Sequence, residues 1–298
     1  MPSLLSNRLA KRMLRPAFSL VEKRLERATT ALQADLDALH HEVADLRRQS
    51  YGLGLLLDHA GRDAHRMPTA TQLDSLVREV TTVTGASGEH ARRDLTVAYR
   101  TVVALEALGV GRLAGSTSDI CGKLASVPLL APPNDEVLEI GTQHGLFAAA
   151  LLRMLHRAGV EPRLTVVDPL AGALVPTGTA PVPVREDVVR ANLALCGSRS
   201  GTQARVLRGA SADAGVRAEV SDRRYGVVVL AGDPSVEGVL ADLDLTEQLA
   251  ADGAVVVLDG HGDDTRPGIA EALAKRLADG SRLRLLGIVA GTAYLRAV

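Results

Sequence analysis

The second half of the chain most constrains the fold, because strand-like apolar runs alternate there with helix-like segments from residue 136 to residue 298. Continuous apolar runs such as 227–230 and 255–258 predict strands that are buried on both faces. Strands that alternate with helices favour a parallel sheet covered by helices on both sides. The predicted strands span residues 137–140, 164–167, 204–207, 226–230, 254–258, 282–289 and 293–297. The predicted helices between them span residues 146–158, 184–195, 236–250 and 268–278.

The end of the chain distinguishes between two kinds of parallel sheet. Only residues 290–292 separate the last two predicted strands, which is too short for a crossover helix, so these strands must pair antiparallel. A dinucleotide-binding sheet would normally continue with another crossover. The sequence therefore predicts an α/β, Rossmann-like sheet of seven strands in which the last strand is reversed.

The N-terminal segment carries a heptad pattern. From Phe18 an apolar residue recurs every seven positions. Further apolar residues, Leu36 and Val43, lie four positions after two of these, as the second core position of a heptad requires. The pattern predicts a coiled-coil helix that joins copies of the chain into a homo-oligomer, with a Glu42 to Arg47 contact across a parallel pair. The alternative is an amphipathic helix that packs against its own protein. The seam consists of Leu25, Leu32, Leu36, Leu39, Val43 and Leu46.

The chain divides by composition into three predicted parts. Residues 1–50 form a basic N-terminus and the coiled-coil helix, residues 51–130 form a helical lid or oligomerisation region, and residues 131–298 form the sheet domain. In the middle part, Thr71 and Ser87 are candidate helix caps, and a long helix is expected to end near Leu108. A further short helix runs through Leu129, and the turn-rich residues 131–135 mark the boundary.

Composition excludes several functions. Aromatic residues make up 2% of the 298 residues and the net charge is -1, which leaves few groups for stacking bases or binding polyanions, so no nucleic-acid partner is expected. No apolar run is long enough to span a membrane. The basic residues 1–15 allow a weak membrane-surface helix, but a frayed terminus is favoured. Cys121 and Cys196 are the only cysteines, which argues against disulfides and agrees with a cytoplasmic protein.

The most informative motif joins the first predicted strand to the following helix. Gly141 and Gly145 let the backbone of this turn approach a ligand closely, and the helix N-terminus offers free N–H groups. Glu139 at the strand end can accept hydrogen bonds from an ammonium group. Asp168 ends the next strand, where a carboxylate can accept both hydroxyls of a ribose. Together these residues predict a cleft for an adenosine-containing ligand.

On these residues, the chain from about 130 to 298 resembles the class I S-adenosylmethionine-dependent methyltransferases. Residues 225–242 and 249–259 extend the likeness to the small-molecule O-methyltransferase-like branch. The resemblance implies S-adenosylmethionine as the cofactor and methyl transfer to a hydroxyl of a small molecule, such as a sugar or another specialised metabolite. It implies cofactor contacts from Glu139, Gly141, Thr142, Gly145, Asp168, Ser211 and Asp233.

The chain departs from the branch at positions where some members bind a divalent metal. Ala231 and Gly260 stand where those members carry acidic or amide ligands, so Asp233 and Asp259 make a thin ligand set and a metal-independent reaction is expected. Pro234 stands where many relatives have a histidine.

Two residues are the predicted catalytic groups. His261, after the strand ending near Asp259, is the candidate base, together with Asp233, and a solvated loop position is the alternative for His261. His144 is expected to shape the glycine turn.

Two other classes of function compete with methyl transfer. The departures at Ala231, Pro234 and Gly260 would suit a non-catalytic binding or scaffold protein that kept the fold. A nicotinamide-dependent oxidoreductase is disfavoured, because the turn lacks the Gly-x-Gly-x-x-Gly spacing.

Overall fold

The computed structural model describes residues 23–40, 43, 68–174 and 182–298. The chain divides into two units, Met1–Leu55 and Leu56–Val298. Helix α1 covers residues 23–40 in the first unit. The helices described in the second unit are α2 (Ala70–Thr84), α3 (Gly88–Leu108), α4 (Thr117–Leu129), α5 (Leu146–Arg157), α6 (Glu186–Ala194), α7 (Arg199–Thr202), α8 (Ala214–Val220), α9 (Val236–Leu249) and α10 (Gly268–Ala278). Its strands are β1 (Glu136–Ile140), β2 (Arg163–Asp168), β3 (Ala173–Leu174), β4 (Val182–Pro183), β5 (Arg205–Arg208), β6 (Tyr225–Leu230), β7 (Ala250–Leu258), β8 (Leu283–Val289) and β9 (Thr292–Ala297).

Seven strands form one sheet in the order β5-β2-β1-β6-β7-β9-β8. The pairs β2–β5, β1–β2, β1–β6 and β6–β7 are parallel, whereas β9 runs antiparallel to both β7 and β8. The predicted seven-stranded α/β sheet with a reversed last strand is therefore confirmed. Because β1 and β6 lie side by side at its centre, the ends of these strands form a crevice where the strand order reverses.

The two faces of the sheet pack into separate apolar cores. Val227 and Val229 of β6 face a core formed with helices α2 to α6, while Val228 and Leu230 face a core formed with α8, α9 and α10. This alternation follows from the two-residue period of a strand, and it explains the continuous apolar run of β6. Helices α2 to α4 precede the sheet in sequence but share its first core, so the described part of the predicted helical region packs directly against the sheet.

Several local predictions are corrected by the structure. The cap of α2 is Thr69 rather than Thr71: the Thr69 hydroxyl accepts a hydrogen bond from the Gln72 amide, and the Gln72 side chain accepts one from the Thr69 amide. Ser87 caps α3 as predicted. The ninth helix ends at Leu249, because β7 begins at Ala250. Helices α7 and α8 and the short β3–β4 pair were not predicted.

The heptad seam lies only partly within the described residues. Leu25 and Leu32 on α1 are 67% and 62% exposed, and Leu36, Leu39 and Val43 are also exposed. Leu46 of the seam, Phe18 at the start of the heptad pattern, and the predicted Glu42 to Arg47 contact lie outside the described residues. The coiled coil and the homo-oligomer stay predictions. Among the helices that the structure describes, none is long and apolar enough to cross a membrane.

Candidate functional site

A cavity of about 280 Å³ opens at the carboxyl ends of the central strands. Glu139 and Gly141 line it from the end of β1, Ala231 follows β6, and Asp259 follows β7. Helix α4 and the loop before it close another side. This is the edge at which α/β sheets bind ligands, so the cavity lies where the sequence predicts the functional site.

The glycine turn after β1 is fixed by close contacts within the protein. Gly141 has a φ of 84°, and a Cβ atom there would lie 2.2 Å from the carbonyl oxygen of Ala231. Gly145 has a φ of 76° and caps the N-terminus of α5, where a Cβ would lie 3.1 Å from Val189. A larger residue at Gly141 would therefore separate β1 from the loop after β6. Both glycines are required by the packing of the turn itself.

Asp168, at the end of β2, accepts hydrogen bonds from the backbone of the glycine turn. Its Oδ2 accepts hydrogen bonds from the amides of Thr142 and Gln143 at 2.8 and 3.0 Å, and its Oδ1 accepts one from Leu170 at 2.7 Å. A carboxylate offers about four acceptor positions, so about one is left for a ligand. The structure thus gives Asp168 a positioning role that the sequence did not predict, and its predicted ribose contact stays a prediction.

Glu139 is a buried acid of the site whose pKa is strongly raised. The residue is 2% exposed, and its Oε2 is buried without a hydrogen-bond partner. Burial, which disfavours the charged carboxylate, raises the pKa of Glu139 to about 8; the Thr142 side chain lowers this pKa and the neighbouring Asp168 raises it. A buried carboxyl oxygen on the cavity wall without a partner is suited to a cationic ligand group.

The loop that follows α3 is tied to the glycine turn by Asn192 of α6. The buried Asn192 amide donates hydrogen bonds to the carbonyl oxygens of Val110 at 2.8 Å and His144 at 2.7 Å, and its oxygen accepts one from the Val110 amide at 2.9 Å. The same loop is held from α3, because Glu106 accepts a hydrogen bond from the Leu113 amide at 2.9 Å. The loop wall of the cavity is therefore positioned by buried polar side chains.

Helix α4 contributes a buried lysine to the cavity. The Lys123 Nζ lies 2.8 Å from Asp119 Oδ2 and 2.6 Å from Asp259 Oδ1, and it sits 5.2 Å from the centre of the Phe147 ring. Burial lowers the pKa of Lys123, but the two carboxylates outweigh burial, so the net pKa is raised and the ammonium is charged.

Two of the predicted cofactor residues, Ser211 and Asp233, form hydrogen bonds within the protein. The Ser211 hydroxyl donates to the buried carboxylate of Asp242. Asp233 is exposed, its Oδ1 accepts a hydrogen bond from the Ser235 amide at 2.9 Å, and it lines a smaller pocket between β6 and α10. Thr142 lines the central cavity and is buried. Glu139, Gly141 and Thr142 thus line the cavity together, whereas Gly145, Asp168, Ser211 and Asp233 are not among its lining residues.

The two histidines differ in position. Gly260 and Gly262 line the central cavity, but His261 between them is not one of its lining residues. Its Nδ1 is buried without a hydrogen-bond partner, and burial lowers the pKa of His261. His144 is buried, lines the cavity and packs against Gly111, where a Cβ would lie 2.5 Å from the ring. A role for His261 as the base stays a prediction.

Lys123 and Asn192, and the pairing of Asp119 with Lys123, were missed by sequence reasoning. One signal was present: Asp119 and Lys123 are four residues apart on a helix, inside a stretch that is otherwise apolar. Asn192 gave no signal, because its partners are backbone groups of distant loops. Within the part of the chain that the structure describes, no group of three or more His, Cys, Asp or Glu side chains is arranged to hold a metal ion.

The sheet order, the reversed last strand and the glycine turn beside a buried acid define a class I S-adenosylmethionine-dependent methyltransferase fold. Residues 138–260 match the family described as "Methyltransferase domain". The matched range runs from β1 through the turn after β7, and it contains the glycine turn, Asp168 and Asp259. The match agrees with the resemblance stated from the motifs: residues 138–260 are similar to a methyltransferase domain, for which that resemblance implies S-adenosylmethionine as the cofactor.

Several solved structures are similar to the chain. A cofactor-bound protein from MTB, Rv0187, shares 22% identity over 78% of this chain and 99% of that one, with a TM-score of 0.48. An O-methyltransferase from Bacillus cereus in complex with SAH shares 14% identity over 77% and 100%, with a TM-score of 0.43. The O-methyltransferase TomG from Streptomyces achromogenes, in complex with SAM, shares 17% identity over 78% and 99%, with a TM-score of 0.42. No curated protein sequence matches the chain.

Proposed function

We propose that the protein transfers the methyl group of S-adenosylmethionine to a hydroxyl of a small molecule, such as a sugar or another specialised metabolite. One observation supports this proposal most directly: the Oε2 of Glu139 is buried at the wall of the cavity and has no hydrogen-bond partner. Such an oxygen is costly unless a donor reaches it. The ammonium group of the cofactor's methionine portion is a donor of the right charge.

Glu139 and the glycine turn would hold the two ends of the methionine portion. The cofactor, when bound, supplies a methyl group on a positively charged sulfur. The N-terminus of α5 starts at Gly145, and its free amides are suited to a carboxylate. Asp168 already accepts the amides of Thr142 and Gln143, so it fixes the direction of this turn. In this proposal the turn is positioned before the cofactor binds, and little reorganisation is required.

The acceptor would enter beside Asp259 and the turn between β8 and β9. Ala290 and Gly291 of that turn line the cavity together with Arg112 from the opposite loop. A hydroxyl acceptor loses its proton as it attacks the methyl group, so a nearby base assists the reaction. His261 and Asp233 are the bases that the sequence proposes, and Asp259 is the carboxylate on the wall of the cavity itself.

We also propose that the reaction needs no divalent metal and that α1 joins copies of the chain. The first proposal rests on the missing acidic residues at Ala231 and Gly260. The second rests on the exposed leucine seam of α1, which a second copy would cover. A small-molecule acceptor, with no nucleic acid, agrees with the near-zero net charge and the scarcity of aromatic residues.

Titration calorimetry with S-adenosylmethionine, S-adenosylhomocysteine and NAD tests the cofactor. We expect both adenosyl compounds to bind and NAD not to bind. Production of S-adenosylhomocysteine with a panel of phenols, catechols and nucleotide sugars, before and after EDTA treatment, tests the reaction and its metal independence. Binding of NAD alone would contradict the proposal, and cofactor binding without turnover on any panel member would favour a non-catalytic protein. Loss of turnover on EDTA treatment, restored by Mg²⁺, would contradict metal independence.

A further inference from the structure

A buried cation, the ammonium group of Lys123, lies at the wall of the cavity, and the sequence motifs do not account for it. Lys123 is 3% exposed and lines the cavity with Asp119 and Asp259. Its Nζ bridges the two carboxylates at 2.8 and 2.6 Å. Asp119 is fixed in turn by the hydroxyl of Thr292, which donates to its Oδ1. Three elements, α4, the end of β7 and the start of β9, therefore meet around one ammonium group.

Fold stability alone does not explain this cluster. Burying a charged pair costs several kcal/mol of desolvation, and an apolar replacement of similar volume is often as stable or more stable. An ammonium has three N–H donors, and the two carboxylates occupy two of them. A third donor is thus left over on a lysine that lines the cavity and whose position is fixed by both carboxylates. Its charge is also held against the face of Phe147 at 5.2 Å.

The contact between the Lys123 ammonium and Asp259 bears on whether a divalent metal can bind in this cavity. In the branch that the chain resembles, metal-binding members place ligands at the positions of Ala231, Asp259 and Gly260, and only Asp259 is an acid in this chain. A divalent ion bound there would have to contact the Asp259 carboxylate. The Lys123 Nζ is instead 2.6 Å from it, within hydrogen-bond distance. The lysine therefore competes with such an ion for the one acid of this set.

We propose that Lys123 is the resident cation of the acceptor site and takes the place of a divalent metal. This inference rests on the proposed methyl transfer and specifies its acceptor as an oxygen nucleophile. The third N–H of Lys123 binds the acceptor oxygen, and its charge stabilises that oxygen as the proton leaves. The hydroxyl proton passes to the Asp259 carboxylate and then to solvent. The new O–C bond forms as the S–C bond of the donor breaks, and neutral S-adenosylhomocysteine leaves.

The proposal predicts that removing the lysine creates a metal site. In Lys123→Ala, the carboxylates of Asp119 and Asp259 and the hydroxyl of Thr292 would surround a space without a cation. Hard oxygen donors of this kind suit Mn²⁺ or Mg²⁺, with water completing the coordination. Titration with Mn²⁺, followed by the electron paramagnetic resonance signal of the free ion, needs neither methyl donor nor acceptor. Lys275→Ala on the exposed face of α10 is the matched control.

We expect Lys123→Ala to bind one Mn²⁺ per chain with a Kd of about 10⁻⁴ M. The wild type and Lys275→Ala should bind no Mn²⁺. The double variant Lys123→Ala/Asp259→Asn should also bind none, because it lacks one of the two carboxylates. If Lys123→Ala does not fold alone, refolding with Mn²⁺ is expected to restore its thermal transition. A Mn²⁺ site at Asp259 in the wild type would overturn the proposal. So would a folded Lys123→Ala that binds no Mn²⁺, or an unfolded one that Mn²⁺ does not restore.

A second measurement separates this proposal from the proposed function. S-adenosylhomocysteine affinity is expected to change less than about threefold in Lys123→Met, because the lysine contacts the acceptor and not the cofactor. With any acceptor that the panel identifies, kcat should fall at least 100-fold in Lys123→Met and recover in part in Lys123→Arg. Absence of cofactor binding in the wild type would contradict methyl transfer, whereas an unchanged kcat in Lys123→Met would contradict the role of the lysine alone.

Discussion

The Lys123 ammonium lies 2.6 Å from a carboxylate oxygen of Asp259, although 136 positions separate the two residues in the chain. The contact joins a helix that precedes the sheet to the end of its fifth strand. Because this lysine and Asp119 line the cavity, the sheet alone does not complete the site. Helix α4 and the loop before it therefore form part of the cavity wall as well as part of the core.

Glu139→Gln should weaken cofactor binding and stabilise the protein without ligand. The amide cannot attract an ammonium group as a carboxylate does, so affinity for S-adenosylhomocysteine should fall at least tenfold by calorimetry. The folded-state pKa of Glu139 is raised to about 8, so native stability is lost as the pH rises from about 4.5 towards 8. At pH 7.5 the variant should be more stable by about 1–3 kcal/mol in urea unfolding. A variant with unchanged affinity would contradict the contact between Glu139 and the cofactor, and a less stable variant would contradict the cost of burying this carboxylate.

Cofactor binding should release close to one proton per chain near pH 7. Glu139 is mostly protonated in the free protein below pH 8, and it must ionise to pair with an ammonium group. Calorimetry in two buffers of different ionisation enthalpy counts the proton. The affinity should rise with pH below about 8 and level off above it. In Glu139→Gln the release should vanish, and a wild type that releases no proton would show that Glu139 is not the partner.

Asp168→Asn should lower both the stability and the cofactor affinity. The substitution keeps the shape of the side chain but removes the charge that accepts three backbone amides. We expect a loss of about 1–3 kcal/mol in the free energy of unfolding and at least a tenfold weaker affinity for S-adenosylmethionine. Asp264→Asn in an exposed loop is the control. Unchanged affinity in a folded Asp168→Asn protein would remove this residue from the cofactor site.

Asn192→Leu should loosen the loop after α3, which forms part of the cavity wall. The substitution leaves the amide and carbonyl of Val110 and the carbonyl of His144 without their partner. Stability should fall by about 2–4 kcal/mol, and S-adenosylhomocysteine should dissociate faster in stopped-flow measurements. Ala191→Leu, on the exposed side of the same helix, should change neither. If the dissociation rate is unaltered, the loop does not help to retain the cofactor.

Leu32→Lys/Leu39→Lys should disrupt the proposed oligomer. The two leucines are exposed on α1, so charge there should be tolerated by a single chain but not by a paired seam. Light scattering is expected to show a larger species for the wild type and a smaller one for the variant, with equal cofactor affinity. Ala34→Lys, on the outer face of the helix, is the control. A wild type that is monomeric at micromolar concentration would exclude the coiled coil.

The architecture was predictable because it depends on local patterns. The continuous apolar run at 227–230 has the length and β-branched composition of a strand buried on both faces, and the three residues 290–292 cannot hold a crossover helix. These facts determine a reversed last strand without knowledge of distant contacts. The short α7 and α8 and the β3–β4 pair were missed, since such short elements are stabilised more by neighbours than by their own sequence.

The sequence by itself determined the sheet, the glycine turn and the positions of Glu139 and Asp168 at strand ends, because strand period and turn chemistry act between near neighbours. Only the tertiary structure decided what these groups contact. It directed the Asp168 carboxylate to backbone amides, left the Glu139 Oε2 buried without a hydrogen-bond partner, and brought Lys123 to Asp259. A hydrogen bond between residues far apart in the chain depends on how helices pack over the sheet, and hydrophobic periodicity specifies which face is buried, not which polar atoms meet there.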